Sequence, residues 1–130
     1  MKNSRLLRSA LLGLSLSLFA VGCGNGAGKE DSPEIRVTVA EAKEVLEEKE
    51  DLLVLDVRTD AEFQAGALPD AVLIPYDQLE SRLAEVEAYK EKPILLYCRS
   101  GNRSAQALAV LEKAGFKEIY HMYQGYSSWK

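Results

Sequence analysis

The residues of this 130-residue chain that are best suited to chemistry lie between Cys98 and Arg103. Arg99 and Arg103 carry fixed positive charges close to the thiol, and Gly101 permits the positive φ that a tight loop often needs. Nearby positive charge lowers the pKa of a thiol, and the thiolate is the nucleophilic form. The simpler alternative is a buried structural cysteine, but the arginines and the glycine favour a reactive sulfur.

The residues on either side of this segment predict a strand, a six-residue loop from Cys98 to Arg103 and a helix. Ile94–Tyr97 is an apolar run without polar alternation, which is typical of a strand buried on both faces of a parallel sheet. From about Ser104, apolar residues recur at helical spacing until Gly115. Cys98 therefore lies where the end of a parallel strand, backbone amides and a helix amino terminus together favour an anion.

The rest of the chain alternates between short apolar runs and amphipathic segments. Capping-box spacing predicts helices after Thr38 and Thr59, and Asp77 is positioned to cap a third. The other predicted strands are Ile35–Val37, Leu52–Leu55, Val72–Ile74 and Glu118–Tyr123. The pattern predicts an α/β fold with a mainly parallel sheet of about five strands and helices on both faces.

Several motifs, in order, resemble those of the rhodanese (sulfurtransferase) family. The resemblance spans about residues 35–129, and the similar segments are Leu55–Arg58 with Glu62, Gly66–Ala71, Ile74–Pro75, Leu96–Ser104 and Gly125–Trp129. It implies a rhodanese-like fold and an enzyme that needs no cofactor. Cys98 would take sulfur from a small anionic donor such as thiosulfate, form a persulfide, and pass the sulfur to cyanide or a thiol.

The resemblance also implies roles for individual residues. Cys98 would be catalytic, and the donor and its sulfur would be bound by Arg99, Ser100, Gly101, Asn102, Arg103 and Ser104. Asp56 and Arg58 would support the loop. His121, the single histidine, falls at a position that the family usually exposes, so we expect it to be solvated.

Two alternatives share these motifs. A tyrosine-phosphatase or arsenate-reductase type enzyme also uses a cysteine and an arginine in such a loop, but with five residues between them, whereas four separate Cys98 from Arg103. A non-enzymatic rhodanese-like module, either a persulfide carrier or a partner-binding domain, would look the same in sequence. The shorter loop favours a transferred sulfur over a phosphate.

The amino terminus predicts export. Three basic residues precede an apolar run at positions 10–21, which has the length of a signal-peptide core. Ala20–Cys23 resembles the lipobox of bacterial lipoproteins, so residues 1–22 would be cleaved and Cys23 would carry lipid, including palmitate. An ordinary cleavage site, leaving a soluble periplasmic or secreted protein, is the alternative. We expect an extracytoplasmic protein of the bacterial cell envelope that is anchored to a membrane by lipid.

The remaining sequence predicts a flexible tether over residues 23–33 and one domain over residues 34–130. Loss of the three basic leader residues would change the formal net charge from −4 to −7, which argues against nucleic-acid binding. One histidine and two distant cysteines do not form a recognisable zinc site, so we expect no metal. We expect a monomer.

Overall fold

The computed structural model describes residues 31–130, which form five parallel strands in the order β1-β5-β4-β2-β3. The strands are β1 (Glu34–Val37), β2 (Leu53–Asp56), β3 (Val72–Leu73), β4 (Pro93–Tyr97) and β5 (Glu118–Met122). The helices are α1 (Val39–Glu48), α2 (Asp60–Ala65) and α3 (Asn102–Lys113), with 3₁₀ segments at Glu80–Tyr89 and Tyr126–Ser128. The predicted α/β class and parallel sheet are confirmed.

The sheet has a separate apolar cluster on each face, because successive residues of a strand point to opposite sides. Ile94 and Leu96 of β4 join the cluster beneath α3 and the first 3₁₀ segment. Leu95 and Tyr97 join the cluster beneath α1. These four residues are fully buried, which places β4 at the centre of the fold and fixes the position of the residue that follows it.

The helix starts agree with the sequence at two places and differ at two others. Complete capping boxes begin α1 at Thr38 and α2 at Thr59, as predicted. The segment after Asp77 is a 3₁₀ helix from Glu80 to Tyr89 without a side-chain cap, so the predicted Asp77 cap is wrong. Helix α3 begins at Asn102 and not at about Ser104, because Gly101 takes the N-cap position with a positive φ.

The first described residues already contact the domain. Ser32 Oγ donates to Glu112 at 2.9 Å, and the Pro33 carbonyl accepts a hydrogen bond from Ile119 N at 2.9 Å. The end of the predicted tether is thus held at the amino-terminal edge of the sheet. The predicted signal peptide and Cys23 lie outside the described residues. Within residues 31–130, no helix has the length and hydrophobicity needed to cross a membrane.

Candidate active site

Cys98 follows β4 directly and lies at the carboxyl edge of the sheet. Its exposed fraction is 1%, and within residues 31–130 it is a free thiol. Gly101 N donates to Sγ at 3.1 Å, and Ser104 Oγ lies 3.3 Å from the same sulfur. The loop therefore turns back around the sulfur, with the Gly101 amide donating to Sγ and the Ser104 hydroxyl accepting from the thiol.

Gly101 gives the loop its shape. Its φ of 97° is in the left-handed region, where residues with a side chain are strained. A Cβ at this position would overlap the backbone oxygen of Tyr123, in the segment after β5. Both constraints require glycine, and the resulting turn directs the Gly101 amide at Cys98.

The electrostatic surroundings favour ionised sulfur. Burial raises the pKa of Cys98, since a charge is less stable away from water. Hydrogen bonds from the Ser104 side chain and from loop amides lower the pKa by more. The net pKa lies below the ordinary thiol value, so a larger fraction of Cys98 is thiolate at neutral pH.

The two loop arginines have different surroundings. Arg103 forms a two-point ion pair with Glu62 of α2, at 2.7 and 2.8 Å, so its guanidinium is already engaged. The hydrogen bonds of this pair raise the pKa of Arg103, and the Cys98 charge adds a smaller increase. Arg99 is exposed and, within residues 31–130, makes no ion pair. Arg99 is therefore the more available of the two for an arriving anion.

The other predicted loop residues are also located. The amide of Ser100 contributes to lowering the Cys98 pKa, although its side chain is exposed. Asn102 is exposed at the first turn of α3, and Ser104 is fully buried on the sulfur side. The structure thus brings Ser104, Gly101 and the Ser100 amide to the thiol, while the Asn102 side chain faces solvent.

Asp56 and Arg58 form a buried ion pair beside the loop. Arg58 Nη2 lies 2.6 Å from Asp56 Oδ2, and the Tyr97 hydroxyl donates to the same oxygen at 2.7 Å. Arg58 also donates to the Gly66 carbonyl at 2.6 Å and lies over the Tyr126 ring at 4.2 Å. The pair is buried and links the ends of β2 and β4 to the segments around them.

The segment after β5 supports the Cys98 loop from outside. Tyr126 N donates to the Cys98 carbonyl at 2.8 Å, and Ser127 N donates to the Arg99 carbonyl at 3.0 Å. Gly125 has a φ of 73°, and a Cβ there would overlap the Arg99 backbone. The closing motif noted in the sequence therefore contacts the loop backbone directly.

His121 is buried, so the expectation of a solvated histidine is wrong. Its exposed fraction is 2%; Nε2 lies 2.7 Å from Ser104 Oγ and Nδ1 lies 3.0 Å from Glu34 Oε1. Sequence reasoning missed this contact because β1 and β5 are adjacent only in the folded sheet. The alternation of side chains along β5 could have predicted the burial of His121, since it places His121 on the same face of the sheet as the buried Ile119.

A shallow depression of about 300 Å³ lies beside the loop. It is lined by Arg58, Glu62, Ala65, Arg99, Tyr126 and Ser127. A larger depression of about 560 Å³ lies over α1 and includes no residue of the Cys98 loop. The smaller one is the better candidate for a substrate approach, because Arg99 supplies positive charge there.

Together, the parallel sheet and the amide-lined loop define a class of small α/β proteins with a cysteine at the carboxyl end of a central strand. A family model described as a rhodanese-like domain matches residues 38–130. The chain therefore belongs to the rhodanese-like domain family.

Individual relatives agree with this assignment. The chain is 37% identical over 84 residues to a sulfurtransferase of Allochromatium vinosum, covering 65% of this chain and 77% of that protein. It is 34% identical over 110 residues to an adenylyltransferase and sulfurtransferase of Arabidopsis thaliana, covering 74% of this chain but 24% of that protein. A rhodanese-like domain protein from Staphylococcus aureus superimposes with a TM-score of 0.64 at 31% identity, covering 73% and 90% of the two chains. The family and these names support sulfur transfer as the general chemistry.

Proposed function

We propose that the protein is an extracytoplasmic sulfurtransferase that moves sulfane sulfur from an anionic donor such as thiosulfate to cyanide or a thiol. The observation that carries this proposal is the geometry at Cys98, where the Gly101 amide and the Ser104 hydroxyl approach Sγ at 3.1 and 3.3 Å. Donors placed in this way stabilise a negative charge on sulfur. The reaction needs a thiolate and a loop that binds an anion, and the lowered pKa of Cys98 and the Gly101 amide support the proposal that this site provides them.

The reaction has two balanced steps. The Cys98 thiolate attacks the outer sulfur of thiosulfate, a new sulfur–sulfur bond forms, and sulfite leaves with the electron pair of the broken bond. In the second step, cyanide attacks the outer sulfur of the persulfide, thiocyanate leaves, and the thiolate is restored. No outside oxidant or reductant is consumed. The loop amides hold the negative charge in both the thiolate and the persulfide anion.

The same proposal includes the location. Lipid on Cys23, after cleavage of residues 1–22, would tether the domain to a membrane of the cell envelope, outside the cytoplasm. The lipobox-like residues Ala20–Cys23 support this proposal. The proposed partners are the small sulfur donor, its acceptor and the membrane surface, with the domain acting as a monomer.

Steady-state assays test the activity. We expect transfer of sulfur from thiosulfate to cyanide, loss of that transfer in Cys98→Ser, and no hydrolysis of aryl phosphates by either protein. The engagement of Arg103 by Glu62 supports the absence of phosphatase activity, because that guanidinium does not lie free to grip a phosphate. Phosphate hydrolysis without sulfur transfer would contradict the proposal.

The role of Arg99 in donor binding has a matched control. Arg99→Ala should lower kcat/KM for thiosulfate by about two- to fivefold, the loss that fits one exposed charge. Lys113→Ala removes the same charge from an exposed position at the far end of α3 and should leave kcat/KM unchanged. An equal effect of both variants would show that only net charge matters.

A persulfide carrier or partner-binding module is the second candidate. The near-complete burial of Cys98 and the engagement of Arg103 favour it, because both reduce access of a free donor to the sulfur. A carrier would accept sulfur slowly from thiosulfate but rapidly from a protein persulfide. If the folded wild type neither transfers sulfur from thiosulfate to cyanide nor hydrolyses aryl phosphates, the carrier or partner-binding module becomes the better proposal.

A further inference from the structure

A continuous hydrogen-bond chain runs from Cys98 to the far edge of the sheet. Cys98 Sγ lies 3.3 Å from Ser104 Oγ, which lies 2.7 Å from His121 Nε2. His121 Nδ1 lies 3.0 Å from Glu34 Oε1. Of these four side chains only that of Glu34 has appreciable exposure, at 23%, against 3% for His121. We call Glu34, His121, Ser104 and Cys98 the relay.

In the first of two possible protonation states of the relay, Cys98 is a neutral thiol. Nδ1 faces a carboxylate, so it carries a proton and donates it to Glu34. Nε2 is then an acceptor for the Ser104 hydroxyl, and Ser104 Oγ accepts from the Cys98 S–H. The hydroxyl has only one proton, and the Gly101 carbonyl at 3.1 Å competes for it, but the contact with His121 is the shorter one.

In the second protonation state, the relay holds the same number of protons, but Cys98 is a thiolate. The Cys98 proton moves to Ser104 Oγ, and the proton that Ser104 held moves to His121 Nε2. Ser104 now donates to the sulfur, His121 donates to Ser104, and Glu34 balances the imidazolium charge. One S–H bond is lost and one N–H bond is formed, so no proton has to leave through solvent.

We propose that His121, held by Glu34, is a positioning residue that accepts the Cys98 proton through Ser104 and thereby keeps the buried sulfur ionised. This inference deepens the proposed function, since it takes Cys98 as the reacting group. The loop amides stabilise the thiolate from one side. The relay stabilises it from the other and gives the displaced proton a destination.

Other charged groups near the relay are few within the part of the chain that the structure describes. On β1, Arg36 lies 3.9 Å from Glu34 but is exposed, at 61%, and it is screened by solvent. On α3, the Arg103 charge acts on Cys98 while it is neutralised by Glu62. Arg99 of the loop faces solvent. His121 is therefore the proton acceptor that is buried and bonded toward the sulfur.

The first test is the pH dependence of Cys98 alkylation in the full chain. Iodoacetamide labelling of the Cys98 peptide, followed by mass spectrometry, separates this thiol from Cys23. His121→Gln can still donate to Ser104 but cannot accept a proton, so the midpoint should rise by about one pH unit or more. Glu34→Gln should raise the midpoint of Cys98 alkylation by less than His121→Gln does. Glu44→Gln removes the same charge from an exposed site on α1 and should leave the midpoint unchanged.

Two further variants test the connection through Ser104. Ser104→Ala should raise the midpoint as much as His121→Gln, and combining both substitutions should add little, because both interrupt one chain. Ser104→Thr keeps the hydroxyl and should restore most of the wild-type midpoint. Additive effects of the two substitutions, or an unchanged midpoint in folded His121→Gln, would overturn the relay.

A second measurement needs no substitution and covers the case in which His121→Gln fails to fold. The chain has one histidine, so its imidazole nitrogen signals are unambiguous by NMR. At neutral pH, Nε2 should show the shift of a protonated nitrogen, and alkylation of Cys98 should convert it to that of a bare acceptor. An Nε2 shift that does not respond to alkylation would refute the inference.

These tests are independent of sulfur transfer. The alkylation midpoint and the Nε2 shift could respond as expected while no persulfide forms with thiosulfate. That result would support the relay and contradict the proposed enzyme activity. Persulfide formation together with an Nε2 shift that does not respond to Cys98 alkylation would support the enzyme activity and contradict the relay.

Discussion

Cys98 illustrates how single residues control the chemistry of this site. Burial acts against a charged sulfur, yet the Ser104 hydroxyl and the loop amides reverse that effect and lower the pKa of the thiol. The rate of a thiolate reaction rises with pH through the pKa of the thiol. A lowered pKa moves that rise toward neutral pH, where the thiolate can attack a sulfur donor.

The Arg103–Glu62 pair predicts a stability loss in acid. The Arg103 hydrogen bonds hold the pKa of Glu62 well below its ordinary value of 4.5. A depressed carboxyl pKa stabilises the fold above the unfolded value, and that stability is lost as pH falls below about 4.5 toward the folded value. Glu62→Gln should therefore flatten the decline of the free energy of unfolding between neutral pH and acid, measured by urea titration.

Glu44→Gln is the control for that prediction. It removes one exposed carboxylate of α1 that forms no ion pair among residues 31–130, so its pH profile should parallel that of the wild type. If Glu62→Gln and wild type lose stability in parallel as the pH falls, the ion pair contributes nothing in solution.

At the scale of elements, the segment after β5 holds the cysteine loop in place. Gly125→Ala puts a methyl group against the Arg99 backbone and forces a strained φ, which should cost about 1–3 kcal/mol or more. Gly115→Ala also occupies a positive φ, but no atom lies within 4 Å of its Cβ. Both variants should lose stability in chemical unfolding, and only Gly125→Ala should also shift Cys98 alkylation to higher pH.

Elements that depend on local signals could be predicted from the sequence. The two capping boxes and the buried run of β4 rest on neighbouring residues, and each is present as expected. The sequence predicted a helix after Asp77 without specifying its type, and the structure has a 3₁₀ helix at Glu80–Tyr89. Apolar spacing alone did not distinguish the two helix types. The relay could not be predicted, since Glu34 and His121 are 87 positions apart.

For the whole molecule, the described end of the predicted tether, residues 31–33, and the candidate site lie at opposite edges of the sheet. The chain enters through Ser32 and Pro33, beside the start of β5, whereas Cys98 follows the end of β4. Parallel strands place these ends about 15 Å apart or more. A lipid anchor at Cys23 would therefore attach to the domain on the side opposite the carboxyl edge of the sheet, where Cys98 lies.

The anchor has a direct test in the bacterial cell envelope. The mature wild type should sediment with membranes and partition into detergent, because acyl chains insert into the bilayer. Cys23→Ser should either appear soluble outside the cytoplasm or accumulate with its leader uncleaved. A wild type that is processed and wholly soluble would contradict lipidation, without affecting the account of Cys98.

Cys98 is the residue that we propose carries the transferred sulfur. Intact-mass measurement of the purified protein after thiosulfate treatment should show one added sulfur atom, located by peptide mapping to Cys98 and removed by cyanide. The same treatment of Cys98→Ser should leave its mass unchanged. A folded wild type that gains no sulfur, or gains one at a residue other than Cys98, would contradict the account.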